Sequence, residues 1–195
     1  MSELWGLAAL SFVSAVTPGP NNVMLWASGV QFGMRRTLRH IAGITMGVGS
    51  MALLAAAGLG VVVNEAPAVE TAFKVVGSAY LLYLAYRIVG GTAIHSEEVA
   101  QPITLPQAFI FQFVNPKAWV FVLAAVSTFR PPGASIVVSS ASMALVMMVV
   151  VVPCAAVWAG AGTVLSRYLV DQRRSRVFRI VLGLLLAATI VYIWL

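Results

Sequence analysis

A chain of 195 residues that is 61% hydrophobic and only 9% charged, with mean hydropathy +0.95, cannot cover itself with polar surface. Soluble domains carry roughly 25% charged residues, so the sequence reads as an all-α integral membrane protein, one transmembrane domain over 1–195. Its net charge of +6 is not read as nucleic-acid binding, because the basic residues gather at a few places, as they do in cytoplasmic loops of membrane proteins.

The first apolar run covers about 4–30 and carries no charge. Glu3 stands where a signal peptide has basic residues, and the run continues too long for one, so no cleavable leader is expected. Inside the run lies Thr17-Pro18-Gly19-Pro20-Asn21-Asn22. A proline in a helix interior costs roughly 3 kcal/mol. Pro18 and Pro20 also lack N–H donors, so the carbonyls of Ser14 and Val16 lose their usual partners. Unwound backbone at membrane depth is tolerated only against protein or a water-filled cavity. A half-helix is expected to restart near Asn21, with Thr17 or Asn21 as its cap, and its free N–H groups suit an anion such as a carboxylate.

A second span is expected over about 41–63, with Gly43-x-x-x-Gly47 fit for close helix packing. A third covers about 71–90, with Lys74 near its start. The fourth, about 106–129, holds Gln112, Asn115, Pro116 and Lys117. A lysine at a helix centre costs about 2.5–3.5 kcal/mol on insertion scales and marks a functional candidate. Lys117 is open to two roles, pairing with a carboxylate or exchanging a proton; the plainer alternative is a lysine that snorkels to the interface or meets helix-end carbonyls. The fifth span, about 134–165, contains Pro153 and is long enough to tilt or bend; the sixth covers about 177–195. Antiparallel barrels are excluded by apolar runs that are continuous rather than alternating.

Nine of the twelve Lys and Arg fall on one side of such a six-span layout, namely Arg35, Arg36, Arg39, Arg87, Arg167, Arg173, Arg174, Arg176 and Arg179. That side is expected to be cytoplasmic, with both termini outside. His40 and His95 are read as solvated loop histidines, His40 at the mouth of the second span where it could titrate, and the lone Cys154 as a small buried core residue.

The chain also looks duplicated. Ser50-Met51-Ala52-Leu53 recurs as Ser142-Met143-Ala144-Leu145, Phe73-Lys74-Val75-Val76-Gly77 resembles the start of the sixth span at Phe178-Arg179, and the two Pro-containing breaks correspond. Three spans per half makes two inverted three-helix repeats, about 1–98 and 99–195, with broken helices 1 and 4.

All six acidic residues lie at span ends or in loops, so neither a carboxylate proton carrier nor an oxygen-ligand cation site is offered. A membrane-embedded enzyme would need a nucleophile–base pair or a metal cluster. None is visible, and no cofactor or metal is expected. A non-transporting scaffold or channel-like subunit remains the alternative to a transporter.

Thr17-Pro18-Gly19-Pro20-Asn21 in the first span and Phe113-Val114-Asn115-Pro116-Lys117-Ala118 in the fourth, with the basic loop and Gly-rich second span, resemble the LysE/RhtB family of amino-acid exporters over essentially the whole chain. Asn21-Asn22, Phe111-Gln112-Phe113-Val114-Asn115 and Ser127-Thr128-Phe129 look most like its cysteine/O-acetylserine branch. The resemblance implies a multi-pass protein of the bacterial inner membrane that exports a small neutral amino acid, of cysteine/O-acetylserine or threonine/homoserine type, by proton antiport. The metal-transporting relatives' Glu-x-Gly-Asp-Lys-type motif is missing, which argues against cation transport. The substrate-binding set is then Thr17, Pro18, Gly19, Pro20, Asn21, Asn22, Gln112, Asn115, Pro116 and Lys117. In it, Lys117 and the half-helix start draw the carboxylate, while free carbonyls near Ser14 and Val16, with Thr17 and Asn115, take the ammonium. The expected partners are the substrate and the lipid bilayer, and a homodimer is compatible with this reading.

Overall fold

The computed structural model describes residues 2–59, 67–90, 101–130, 133, 135–169 and 171–194. His95, Glu65, Glu97 and Glu98 lie outside the described residues. Seven α-helices account for most of what is described: α1 (Ser2–Val16), α2 (Pro20–Leu54), α3 (Pro67–Gly90), α4 (Leu105–Val114), α5 (Pro116–Thr128), α6 (Ile136–Leu165) and α7 (Gln172–Trp194). A π-helical turn, Ala55–Leu59, follows α2. Pro20–Gly58 and Ile136–Tyr168 are long and apolar enough to cross a membrane, and α4 with α5 makes a third such stretch, bent by 70° at its break. The protein is therefore all-α with membrane-type helices.

α2 is not straight. Gly33 has φ 74° and ψ 170°, inside an otherwise helical run. Ser28 Oγ and Thr37 Oγ1 lie 2.8 Å apart. On a straight helix nine residues would separate them by about 13.5 Å along the axis. The chain therefore doubles back at Gly33, and residues 20–32 and 34–54 form two arms. Thr37 Oγ1 also bonds the Gly33 carbonyl at 2.8 Å, closing the turn. The sequence placed a basic loop here. The structure makes Arg35, Arg36 and Arg39 helical, because one glycine in a glycine-only conformation supplies the whole turn.

The main core gathers α1, both arms of α2, α4, α5 and α6 around Leu7, Leu25, Ile44, Met51, Val122 and Met147. α3 packs chiefly on α7, and the two join the rest through Leu81, Leu182, Leu186, Met24 and Phe111. Glycines set the closest approaches. A Cβ at Gly43 would collide with the Leu105 carbonyl, and one at Gly47 with Gln112, so the Gly43-x-x-x-Gly47 spacing packs α2 on α4 as expected. Outside the core the apolar side chains are exposed, among them Val120, Val137, Leu145, Val149 and Leu184, as a lipid-facing surface requires. Cys154 is buried in α6.

Candidate functional site

The two proline breaks lie against each other. α1 ends at Val16, and α2 begins with Pro20 at its first helical position. The expected cap is corrected: the N-cap is Gly19, which has no side chain to accept from the first turn, rather than Thr17 or Asn21. Pro20 fixes where the helix starts, so the residue just before it becomes the cap. The polar side chains serve the preceding carbonyls instead. Asn22 donates its amide to the carbonyls of Ala15 at 2.9 Å and Thr17 at 2.7 Å. Thr17 Oγ1 donates to the Ser14 carbonyl at 3.0 Å, the one that Pro18 leaves without a donor. Trp158 reaches from α6 to the Ala15 carbonyl at 3.3 Å. The Val16 carbonyl, orphaned by Pro20, has no donor among the described residues.

The second break is a single residue. Asn115 is extended (φ −89°, ψ 104°) and caps α5, its Oδ1 accepting from the Lys117 N–H at 3.1 Å. Pro116 occupies the first helical position, where a missing N–H costs nothing. Trp119 turns its indole N–H back onto the Phe113 carbonyl at 2.8 Å.

Two links join the breaks. Lys117 Nζ donates to the Thr17 carbonyl (2.8 Å), Thr17 Oγ1 (3.0 Å) and the Pro18 carbonyl (3.2 Å). That uses all three ammonium donors. Asn21 and Gln112 exchange amide bonds at 2.8 and 3.2 Å, and Gln112 also donates to the Ala108 carbonyl at 2.9 Å. Gln112 is fully buried, and the pair satisfies both amides at once. Gly19 is where the backbone must come close: a Cβ there would lie 2.8 Å from Lys117 Cδ and 2.9 Å from Nζ.

Between the breaks is a cavity of about 60 Å³, room for a few waters. Gly19, Pro20, Asn21, Asn22, Asn115 and Lys117 line it. Thr17 and Pro18 do not, but hold Lys117; Gln112 holds Asn21; Pro116 starts α5. The structure thus brings all ten candidate residues to one place. Sequence reasoning missed Ser11 and the apolar wall of Ile44, Val48, Phe121 and Val151. Ser11 precedes Ser14 and Ala15 by three and four residues, so helical periodicity running into the first break carried a signal for it. The expected division of labour is also altered. Of the groups assigned to a substrate ammonium, Thr17 is held by Lys117's own ammonium and the Ser14 carbonyl by Thr17 Oγ1, because the two breaks are in direct contact.

His40 is a second correction. It is not a solvated loop residue but fully buried in the second arm of α2, and neither ring nitrogen has a partner among the described residues. It precedes the cavity residues Ile44 and Val48 by four and eight positions, on their face of the helix.

Comparison with known proteins agrees with the motifs. A family model described as LysE type translocator matches residues 12–193. The chain belongs to the LysE family. A cysteine/O-acetylserine efflux protein of Salmonella typhimurium (strain LT2) is 32% identical over 135 residues, which is 68% of this chain and 66% of the relative. The chain thus spans about two thirds of the length of the Salmonella proteins it matches. The protein of the same description from Escherichia coli (strain K12) is 29% identical over 189 residues, 95% of this chain and 93% of the relative. No solved structure matches.

Proposed function

We propose that this LysE-family protein is a secondary exporter of a small neutral amino acid or derivative, of the cysteine/O-acetylserine kind. It would work in the bacterial inner membrane, with its arginine-rich side in the cytoplasm and both termini outside. Relatives described as cysteine/O-acetylserine efflux proteins support the substrate class. The observation that carries the reading is the pair of half-helix ends joined by Lys117 beside a small cavity.

The chemistry suits a zwitterion. Lys117's ammonium occupies the carbonyl cradle of Thr17 and Pro18 that an amino acid's ammonium would want. A substrate entering the cavity competes for that cradle, while its carboxylate draws Lys117 away. The side chains of Asn21, Asn22 and Asn115, which line the cavity, supply further polar contacts. Exchange of Lys117 between backbone and substrate would loosen the link between the breaks. In an inverted-repeat plan of three spans each, about 1–98 and 99–195, loosening that link lets the halves rock about a midplane site and alternate access. The sharp turn at Gly33 supports separate first and second spans in this plan. Proton antiport is the coupling we propose.

The test is uptake of labelled cysteine or O-acetylserine into inverted vesicles, with and without a pH gradient. Gradient-dependent accumulation by the native chain, absent with Lys117→Ala at equal membrane content, is the expected result. Equal uptake by native and variant vesicles would reject the role given to Lys117. No uptake of any small neutral amino acid would leave the scaffold reading in its place.

A further inference from the structure

At the Gly33 turn the structure holds a second, larger cavity that the transport reading does not use. It measures about 480 Å³ and is lined by Arg35, Arg36 and Arg39 from α2 and by Gln101, Pro102, Ile103 and Thr104 leading into α4. All three arginines are exposed, and among the described residues none has an acidic partner within ion-pair distance. Three guanidinium groups with no acidic partner among the described residues, around one cleft beside a glutamine and a threonine, match the chemistry of a phosphate-type anion.

A second feature says which source of phosphate fits. From Arg35, positions i+3, i+4, i+7, i+11 and i+18 are Leu38, Arg39, Ala42, Met46 and Leu53, which lie on one helix face. Leu38 is 53% exposed, Met46 48% and Leu53 45%. Leu38 to Leu53 runs about 22 Å along the helix at ~1.5 Å per residue, more than one leaflet's half of a roughly 30 Å hydrocarbon core. The cationic cleft therefore stands at the head of an apolar stripe long enough for an acyl chain. A soluble anion has no use for the stripe.

We propose that the cleft of Arg35, Arg36 and Arg39 binds the phosphate headgroup of an anionic phospholipid, whose chain lies along Leu38, Met46 and Leu53. The bound lipid would brace the Gly33 turn by tying α2 to the segment that leads into α4. This site stands apart from the transport reading and survives or fails without it.

The experiment measures the unfolding temperature of the full chain in detergent with phosphatidylglycerol, phosphatidylcholine or inorganic phosphate added. Phosphatidylglycerol should raise it by several degrees more than phosphatidylcholine, and millimolar phosphate should not reproduce the gain. The gain should vanish in R35Q/R36Q/R39Q and persist in R173Q/R174Q/R176Q, which removes equal charge from α7. Persistence in the first variant, or equal loss in the second, would overturn the site. A match by inorganic phosphate would overturn the lipid assignment. Should the first variant fail to fold, R35K/R36K/R39K keeps the charge but loses bidentate geometry. At least half of the gain should then be lost, and full retention would count against the cleft.

Discussion

The two breaks solve the same problem by opposite means. The second break is self-sufficient: Asn115 caps its own helix, Pro116 sits where a proline is harmless, and Trp119 covers the Phe113 carbonyl from four residues beyond Asn115. The first has a glycine for a cap and two prolines that strip donors from the preceding turn. Asn22 and Thr17 repair part of it locally, Trp158 in α6 and Lys117 in α5 add more, and the Val16 carbonyl keeps no donor among the described residues. One break is thus a finished structural element, and the other is finished only when a cation is docked on it. A joint that depends on a removable cation can open, whereas a self-capped joint stays rigid and carries that cation. On the proposed mechanism, that asymmetry would make the first break the moving part of the site and the second its support.

The sharpest way to break this comparison is to remove the cation. Lys117→Ala takes the cation from the Thr17 and Pro18 carbonyls, leaving Thr17's with Asn22, and hydrogen bonds to charged groups contribute about 1.5–3 kcal/mol. Export should fall to background while the protein still reaches the membrane, since α5 keeps its own cap. Vesicle uptake normalised to membrane content checks this. Gly19→Ala should come next. Gly19 has φ −174°, extended backbone that alanine adopts freely, so the backbone is not strained. The added Cβ instead meets the Lys117 side chain at 2.8 Å and pushes it off its seat. Export should drop at least about tenfold, roughly 1.4 kcal/mol in free-energy terms, with little change in unfolding temperature. A Gly19→Ala chain that exports normally would show that the Lys117 seat is not used in transport.

Gln112→Leu tests the other link. It strands the Asn21 amide in a half-buried site, at a cost of about 1–3 kcal/mol. The loss should appear as a lower unfolding temperature as well as reduced export, because the Asn21–Gln112 pair fastens the breaks together in place of completing one of them.

How much of this was legible beforehand follows the same divide. The breaks themselves were plain, because proline within a long apolar run is a strong local signal and Lys117 had no inexpensive place in lipid. All ten candidate residues meet at one site for that reason. That Lys117 could meet helix-end carbonyls was legible as an alternative; which carbonyls was not, because its seat is on residues 99 and 100 positions away and a carbonyl leaves no mark in a sequence. The cap of α2 was misplaced because Thr17 and the asparagines are good caps in isolation. Here Thr17 bonds back to the Ser14 carbonyl that Pro18 orphans, Asn22 bonds back to the Ala15 and Thr17 carbonyls, and Asn21 pairs with Gln112. The Gly33 turn was invisible for a related reason. A basic stretch between two apolar runs reads as a loop, while a single glycine in a conformation other residues avoid does the same work with no loop at all. His40 was misread with it, since a loop histidine is wet and a helical one beside that turn is buried.

Gly33 and His40 also supply the smaller tests, both away from the Lys117 link. At φ 74° and ψ 170° an alanine costs of order 1–3 kcal/mol, so Gly33→Ala should lower the unfolding temperature clearly and leave substrate selectivity as it was. His40→Leu should do least. The imidazole is fully buried with no partner for either nitrogen among the described residues, so the change removes no hydrogen bond and relieves a buried polar group, and similar volume limits repacking. Stability should be unchanged or slightly raised on thermal unfolding. His40 shares its helix face with Ile44 and Val48 of the cavity wall, so vesicle uptake gives the second readout. If stability holds while gradient-driven uptake is lost, the ring does more than fill space. The moving part of the site would then extend from the first break along α2 towards the Gly33 turn.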